Sequence, residues 1–467
     1  MFAQRLIPLI IASALFMENM DSTVIATSLP AMARDLGTDP IILKLAFTTY
    51  LLSLTVFIPI SGWCADRFGA RNIFRAAIVV FTLASIACGL SHTLGWLVAS
   101  RGLQGLGGAM MVPVGRIILL RSTPKSELVD AMAWLTIPAL LGPLMGPPVG
   151  GFITTYFDWR WVFWINVPFG IAAVAFATLR MPVIDAPPPP PLDATGFFLS
   201  GVGLSLSVFG MTVVGRDLFP LWLPFALMAA GGLVIAAYIL HARRVAEPIL
   251  DLRLLRLETF RAGVMGGSVF RIGVGAIPFL LPLMLQLGFG LTPFHSGMLT
   301  CAAALGAITM KFGAARLIRG FGFRRLLLIN GAASSLIIAS YGLLTPATPY
   351  VLLVSLLLVG GFLRSLQFTA LNALSYSDIA HAEMSAATSL YTVAQQLSLS
   401  MGVALAAFIL EVTQFARGDV AITAADFSVA FFVVAAVSTL AVAGFRGLSP
   451  DAGANVSGRG RATVTNS

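Results

Sequence analysis

The chain predicts an all-α integral membrane protein, and three observations carry the prediction. Charged residues make up 10% of the sequence against 58% hydrophobic ones, whereas soluble domains carry about 25% charge. Uncharged runs of spanning length recur along all 467 residues, and the mean hydropathy is +0.91. The ten-residue alternating patterns of an outer-membrane barrel do not occur.

Windows of about 20 apolar residues give about fourteen spans. They are centred near Phe16, Thr55, Leu83, Gly107, Leu141, Ala172, Leu204, Ala230, Gly275, Leu305, Leu336, Gly361, Ser400 and Val434. Arg271 and Lys311 interrupt the ninth and tenth. The first span opens as a signal peptide does, with Arg5 before an apolar run. That run continues through "MENMDSTVIATSLP" with no clear small-residue cleavage site, so it is expected to remain as a span.

Lys and Arg placement sets the orientation. With the N-terminus in the cytoplasm, inside segments hold about nineteen of the 29 basic residues and outside segments about five. Both termini are therefore expected in the cytoplasm, with the chain in the inner membrane. The net charge of +9 then faces the inner leaflet, which removes the case for a nucleic-acid partner. Cys64, Cys88 and Cys301 lie in apolar runs without CxxC spacing or a nearby His, so packing is expected rather than a disulfide or a metal site.

Two connecting segments stand out. "DAPPPPPLDATG" (185–196) reads as a polyproline II spacer between spans six and seven. "PILDLRLLRLETFR" (248–261) suits a short amphipathic helix on the inner leaflet. A faint internal repeat joins the halves. "SRGLQGLGG" (100–108) echoes "LRSLQFTAL" (363–371), and "DRFGARNIF" (66–74) echoes "RGFGFRRLL" (319–327). Each echo falls eight spans after its partner, as two related six-span halves with two inserted spans would give. The expected organisation is a six-span bundle over 1–180, a linker and two inserted spans over 181–246, a second six-span bundle over 247–446, and a disordered tail over 447–467.

Charge and turn chemistry collect in "SGWCADRFGARNIFR" (61–75) between spans two and three. Gly69 permits a turn with positive φ, and Gly62 permits close helix approach. Asp66 suits the positive end of another helix, and Arg67 and Arg71 suit acids or lipid phosphates. Glu18 and Asp21 lie mid-span on one helix face. A charge there costs about 2.5–3.5 kcal/mol, so both must face protein or water. Desolvation and like charge both disfavour an ionised carboxyl, which suits such a pair to binding a proton. The alternative is a structural ion pair with Arg101 or Arg271. Gly142, Gly146 and Gly150 share one face of span five, a smooth surface for a neighbouring helix, and Pro143 and Pro147 bend that helix.

These motifs resemble the major facilitator superfamily. Residues 62–71 are similar to its loop signature G-x-L-A-D-R-x-G-R-K, with Cys64 and Ala70 as departures. Arg101-x-x-Gln104-Gly105-x-Gly107 resembles the R-x-x-Q-G-x-G element of span four. Gly142-Pro143-x-x-Gly146-Pro147-x-x-Gly150-Gly151 looks like the antiporter motif of span five. "MDSTVIATSLP" (20–30) and "WRWVFWINVPFG" (159–170) resemble elements of the fourteen-span drug:proton antiporters. The resemblance runs from Met17 to about Arg446.

It implies the major facilitator fold, with two six-helix bundles, two extra central spans and alternating access. It also implies a proton-coupled antiporter exporting amphiphilic small molecules or drugs, driven by the proton gradient without a cofactor. Asp21, with Arg101 beside it, would carry the coupling; Glu18 is a candidate by position alone. Asp66 and Arg71 would latch the cytoplasmic face against the start of span thirteen (381–388). Gln104, Arg271, Gln286, Arg364, Gln367, Gln395 and Gln396 are candidates to line the substrate cavity. Helix–helix hydrogen bonding explains such polar residues equally well.

A proton:solute symporter is the nearest alternative, and the span-five motif favours antiport. A non-transporting sensor would need a signalling domain or partner-binding tail that the sequence does not show. No Walker A sequence, nucleophile–base set or metal cluster points to an ATPase or another enzyme. The expected partners are substrate, protons and lipid, and the expected state is a monomer.

Overall fold

The computed structural model describes residues 2–123, 128–183, 191–214, 220, 222–380, 383–418 and 422–454. Within them the secondary structure is helical. Lipid offers no partner for a backbone amide, and a helix satisfies each one within its own segment. Thirteen helices are long and apolar enough to cross a membrane. They are α1 (Ile7–Thr27), α2 (Lys44–Phe68), α3 (Ala70–Gly89), α4 (Leu94–Ser122), α6 (Trp161–Arg180), α7 (Ala194–Val213) and α8 (Trp222–Ala242). In the second half they are α9 (Glu258–Gly288), α10 (Pro293–Phe321), α11 (Phe323–Tyr341), α12 (Tyr350–Ser375), α13 (Met384–Arg417) and α14 (Ala424–Phe445). Between α4 and α6 runs α5, the 29-residue helix Leu128–Tyr156, at the position of the fifth expected span. The protein is a multi-pass membrane protein.

The chain forms two compact units. The first comprises 1–213, 218–249 and 291–298, the second 214–217, 250–290 and 299–467. Packing inside them repeats with an offset of eight spans. In the first unit α1 packs on α5 and α6, and α3 on α4 and α6; in the second α9 packs on α13 and α14, and α11 on α12 and α14. The faint sequence echoes thus mark equivalent positions. Gly69 (φ +86°) breaks the chain between α2 and α3, and Gly322 (φ +72°) breaks it between α10 and α11. Positive φ is open to glycine and costly for other residues, which keeps the echo where surrounding residues have diverged.

Small residues set the closest approaches. A Cβ on Gly107 would stand 2.7 Å from the Phe81 amide, and one on Gly115 would stand 2.7 Å from Ile11 Cγ2, so α4 lies tight against α3 and α1. Gly62 behaves differently from expectation. Among the described residues a Cβ on Gly62 would meet nothing within 4 Å, so the glycine is not at a close approach, although its helix turn packs on α3 and α4.

The connecting segments also differ from their simplest readings. Residues 252–256 form a 3₁₀ turn (Leu252–Arg256) and Glu258–Arg261 are the first turn of α9, instead of one amphipathic helix. Asp251 accepts hydrogen bonds from the Arg253 amide and guanidinium at 2.9 Å, which hold its carboxyl below the usual range against the opposing effect of burial. Competing for the backbone in this way, it favours a turn. Residues 184–190 of the proline-rich segment lie outside the described residues.

That segment leads to Asp193, which precedes α7. Its Oδ1 accepts the Gly196 amide at 2.8 Å and lies 2.7 Å from His241 Nε2, and its Oδ2 accepts the Ile249 amide at 3.3 Å. Burial pushes this carboxyl up, but the His241, Gly196 and Ile249 bonds outweigh it and hold the group below its ordinary value. A depressed carboxyl adds stability above its unfolded value and loses it as pH falls through the folded one. Asp193→Ala should therefore lower the unfolding midpoint at neutral pH, at a cost of about 0.5–2 kcal/mol as for other lost N-caps. The difference from the parent should shrink as pH drops below 4. A midpoint difference that stays constant from pH 7 to pH 3 would show that the carboxylate is not the stabilising form.

Candidate functional site

The polar groups of the first unit converge on α1. Asp21 is fully buried, and so is Arg101 of α4, whose Nη1 lies 2.6 Å from Asp21 Oδ2. Asp21 Oδ1 accepts Gln104 Nε2 at 2.9 Å and Asn166 Nδ2 at 2.8 Å. Gln104 also accepts from Arg101 Nη1 at 2.5 Å and donates to Ser85 Oγ at 2.8 Å. The guanidinium lies 4.2 Å from the centre of the Tyr50 ring and 5.9 Å from that of Phe163. Five helices, α1, α2, α3, α4 and α6, meet in this network. The i, i+3 spacing of Arg101 and Gln104 brings both side chains to one face of α4, opposite Asp21.

Glu18 lies one turn earlier on α1. Its Oε2 is buried without a hydrogen-bond partner among the described residues, as is the Tyr50 hydroxyl. The two groups converge where Gly108 lacks a side chain. A Cβ there would stand 3.2 Å from Tyr50 Oη and 3.7 Å from Glu18 Oε1. Asp21 is thus saturated with donors and Glu18 has an unmatched oxygen.

The glycine face of α5 packs on the same helix. A Cβ on Gly142 would stand 2.8 Å from Asn19 Cβ, and one on Gly146 would collide with Thr23 Oγ1. A Cβ on Gly150 would collide with the Val24 carbonyl oxygen. The three glycines therefore bracket Asp21 by facing Asn19–Val24. Gly151 turns to Phe294, in the segment 291–298 of the same unit. Pro143 and Pro147 are half-buried beside this face.

In the last turn of α2, Asp66 Oδ1 pairs with Arg121 Nη1 of α4 at 2.7 Å. Arg71 donates to the Thr178 carbonyl of α6, and Arg67 is exposed. Residues 381 and 382 of the segment expected to receive Asp66 lie outside the described residues.

The cavity candidates separate into two groups. Gln104 belongs to the Asp21 network. Gln367 is fully buried, accepts Asn330 Nδ2 at 2.7 Å and donates to the Leu327 carbonyl at 3.2 Å, so it joins α12 to α11. Arg271 is fully buried and donates to the Tyr391 hydroxyl and, at 3.4 Å, to the Gly263 carbonyl. These three act in packing networks within a unit. Gln286 is buried, while Arg364, Gln395 and Gln396 are half-buried.

The aromatic segment 159–164 lies largely in the interior. Trp159 and Phe163 are buried, Trp159 donates to Asp35 at 3.2 Å, and only Trp161 is largely exposed. Asn166, Ser85 and Tyr50 complete the site without having been singled out in the sequence. Asn166 carried a signal: it is a lone amide in the apolar run "FWINVPFG". Among the described residues no three His, Cys, Asp or Glu side chains are grouped for a metal.

Comparison with known proteins agrees with the residues. Residues 11–403 match the model of the Major Facilitator Superfamily. Relatives from Salmonella heidelberg and Salmonella typhimurium, named for multidrug resistance (MdtD), are 38% identical over 406 residues, covering 86% of this chain and 85% of theirs. Among solved structures, a D-xylose-proton symporter superposes with a TM-score of 0.68 at 16% identity, covering 97% of this chain and 98% of its own. An auto-inhibited POT family peptide transporter gives 0.69 at 16%, covering 97% of each chain. At that identity the structures speak for the fold alone. The matched segment spans most of the chain and contains the whole Asp21 network, and the protein belongs to the major facilitator superfamily, a family of transporters of small molecules rather than enzymes.

Proposed function

We propose that this protein is a proton-coupled antiporter that exports amphiphilic small molecules across the inner membrane. The observation that carries the reading is the pair of acids on α1. Asp21 is held by three donors, and Glu18, one turn away, has a buried oxygen that none reaches. The first arrangement suits a fixed structural charge. The second suits a proton carrier, because a neutral acid costs far less than a carboxylate in an apolar span. The coupling role that the family resemblance gives to Asp21 is therefore assigned to Glu18, with Asp21 and Arg101 positioning α1 against α4.

The direction of transport and the amphiphilic substrate class follow the relatives named for multidrug resistance, together with the α5 antiporter motif. The accompanying organisation is two six-span bundles (1–180 and 247–446) joined by 181–246, working as a monomer with both termini in the cytoplasm. Protonation of Glu18 from outside would favour one conformation and substrate from inside the other; each ligand shifts the equilibrium by its difference in affinity for the two states.

A test uses proteoliposomes with an imposed pH gradient and a panel of cationic, neutral and anionic amphiphiles. Glu18→Gln should lose gradient-driven transport, by tenfold or more, while keeping substrate exchange without a gradient. Full gradient-driven transport in that variant would return the proton to Asp21 or remove it from α1 altogether.

A further inference from the structure

Tyr50 of α2 reaches the surroundings of both acids on α1. Its ring lies 4.2 Å from the Arg101 guanidinium, which holds Asp21 at 2.6 Å. Its hydroxyl is buried without a hydrogen-bond partner among the described residues, as is Glu18 Oε2. A tyrosine that served packing alone would normally find its hydroxyl a partner, and phenylalanine would fill the same volume without stranding a polar group.

The two stranded groups share one space. A Cβ on Gly108 of α4 would stand 3.2 Å from Tyr50 Oη, 3.7 Å from Glu18 Oε1 and 3.1 Å from Leu54 Cδ2. The missing side chain therefore leaves a gap with a hydroxyl on one side and a carboxyl on the other. The charged groups acting on that gap are Asp21 of α1 and Arg101 and Arg116 of α4, and none of them bonds to either stranded atom.

We propose that Tyr50 is a positioning residue for the coupling proton, and that Gly108 keeps open the space in which it acts. The inference rests on the assignment of that proton to Glu18. A phenol hydroxyl both donates and accepts, and it rotates to suit its neighbour. It accepts from Glu18 while the acid is protonated and donates to the carboxylate once the proton has left, directly or across one water molecule. Tyr50 keeps its own proton throughout; only the direction of the hydrogen bond reverses. Each form of Glu18 then has a partner, without which a carboxyl in an apolar span is costly. The contact with Arg101 fixes the ring, so the hydroxyl is held beside Glu18.

Infrared difference spectra of the full-length protein in nanodiscs, taken between acid and alkaline pH, read the Glu18 carboxyl directly. Its band is the one missing from Glu18→Gln. A carboxyl C=O that loses a hydrogen bond absorbs at higher frequency. Tyr50→Phe keeps the ring over Arg101 and should move the band to higher frequency. Gly108→Ala keeps both polar groups and sets a methyl against each of them. It should move the band the same way, and it decides the question if Tyr50→Phe does not fold. One hydrogen bond to a charged group is worth about a factor of ten or more, so gradient-driven transport in proteoliposomes should fall about tenfold in each variant. A merely structural tyrosine would lower transport and leave the band in place. An unmoved band in either variant, beside a Glu18→Gln that has lost gradient-driven transport, would overturn the proposal and leave the proton on Glu18. If Glu18→Gln removes no band, or keeps full gradient-driven transport, the assignment to Glu18 fails and the proposal fails with it.

Discussion

Asp21→Asn should abolish pH-driven transport and also lower the unfolding midpoint, because it leaves the Arg101 guanidinium buried without its counter-charge. Both side chains are fully buried and 2.6 Å apart. Breaking such a pair from one side costs about 3–5 kcal/mol, while replacing both partners with apolar groups is often neutral. The variant therefore tests two roles at once. Asp21→Asn alone should be inactive in both gradient-driven transport and gradient-free exchange. The double variant Asp21→Asn with Arg101→Leu should recover much of the midpoint and none of the transport. Glu18→Gln should do the opposite, keeping the midpoint and exchange but losing the response to the gradient. If Asp21→Asn keeps exchange and loses only the gradient response, Asp21 carries the proton and the assignment to Glu18 fails.

Gly146→Leu should stop transport and loosen α5 from α1. Even a methyl group at Gly146 overlaps Thr23 Oγ1, a Cβ on Gly150 would collide with the Val24 carbonyl, and one on Gly142 would stand 2.8 Å from Asn19 Cβ. Overpacking of this kind costs about 1–3 kcal/mol. Backbone on both sides leaves little room to relax, so the upper end is expected. Gly62→Ala is the control. It meets open space on a helix, where alanine is favoured by about 0.8–1.0 kcal/mol over glycine, so it should keep or raise stability. Normal transport in Gly146→Leu would mean that the contact between α5 and α1 does not change during the cycle.

The thirteen candidate spans among the described residues, the helix α5 between them and the eight-span repeat were legible in the sequence because lipid imposes a simple rule on it. A chain that must satisfy its backbone without water writes every span as an apolar run of fixed minimum length. Gly69 was legible for a related reason, since a positive φ is a local demand on one residue; Gly322 emerged as its counterpart only in the structure. The candidate acids and bases were legible one by one, because a charge in an apolar run is conspicuous wherever it points.

Their roles were not legible. The same sequence logic marks Glu18 and Asp21 alike, yet among the described residues three donors from α4 and α6 reach one and none reaches Oε2 of the other. Those donors lie 80 to 145 positions away along the chain, and no local pattern specifies which long-range partners meet. Gly62 and Gly146 likewise look alike as small residues in helices, but of the two only Gly146 points its missing side chain at a neighbouring helix. Arg101 and Arg364 look alike as repeats, but among the described residues only Arg101 is brought against a carboxylate. Composition and periodicity determined that these groups lie within membrane-spanning helices. Tertiary structure alone decided which charges are paired there, because pairing is set by which helix faces meet.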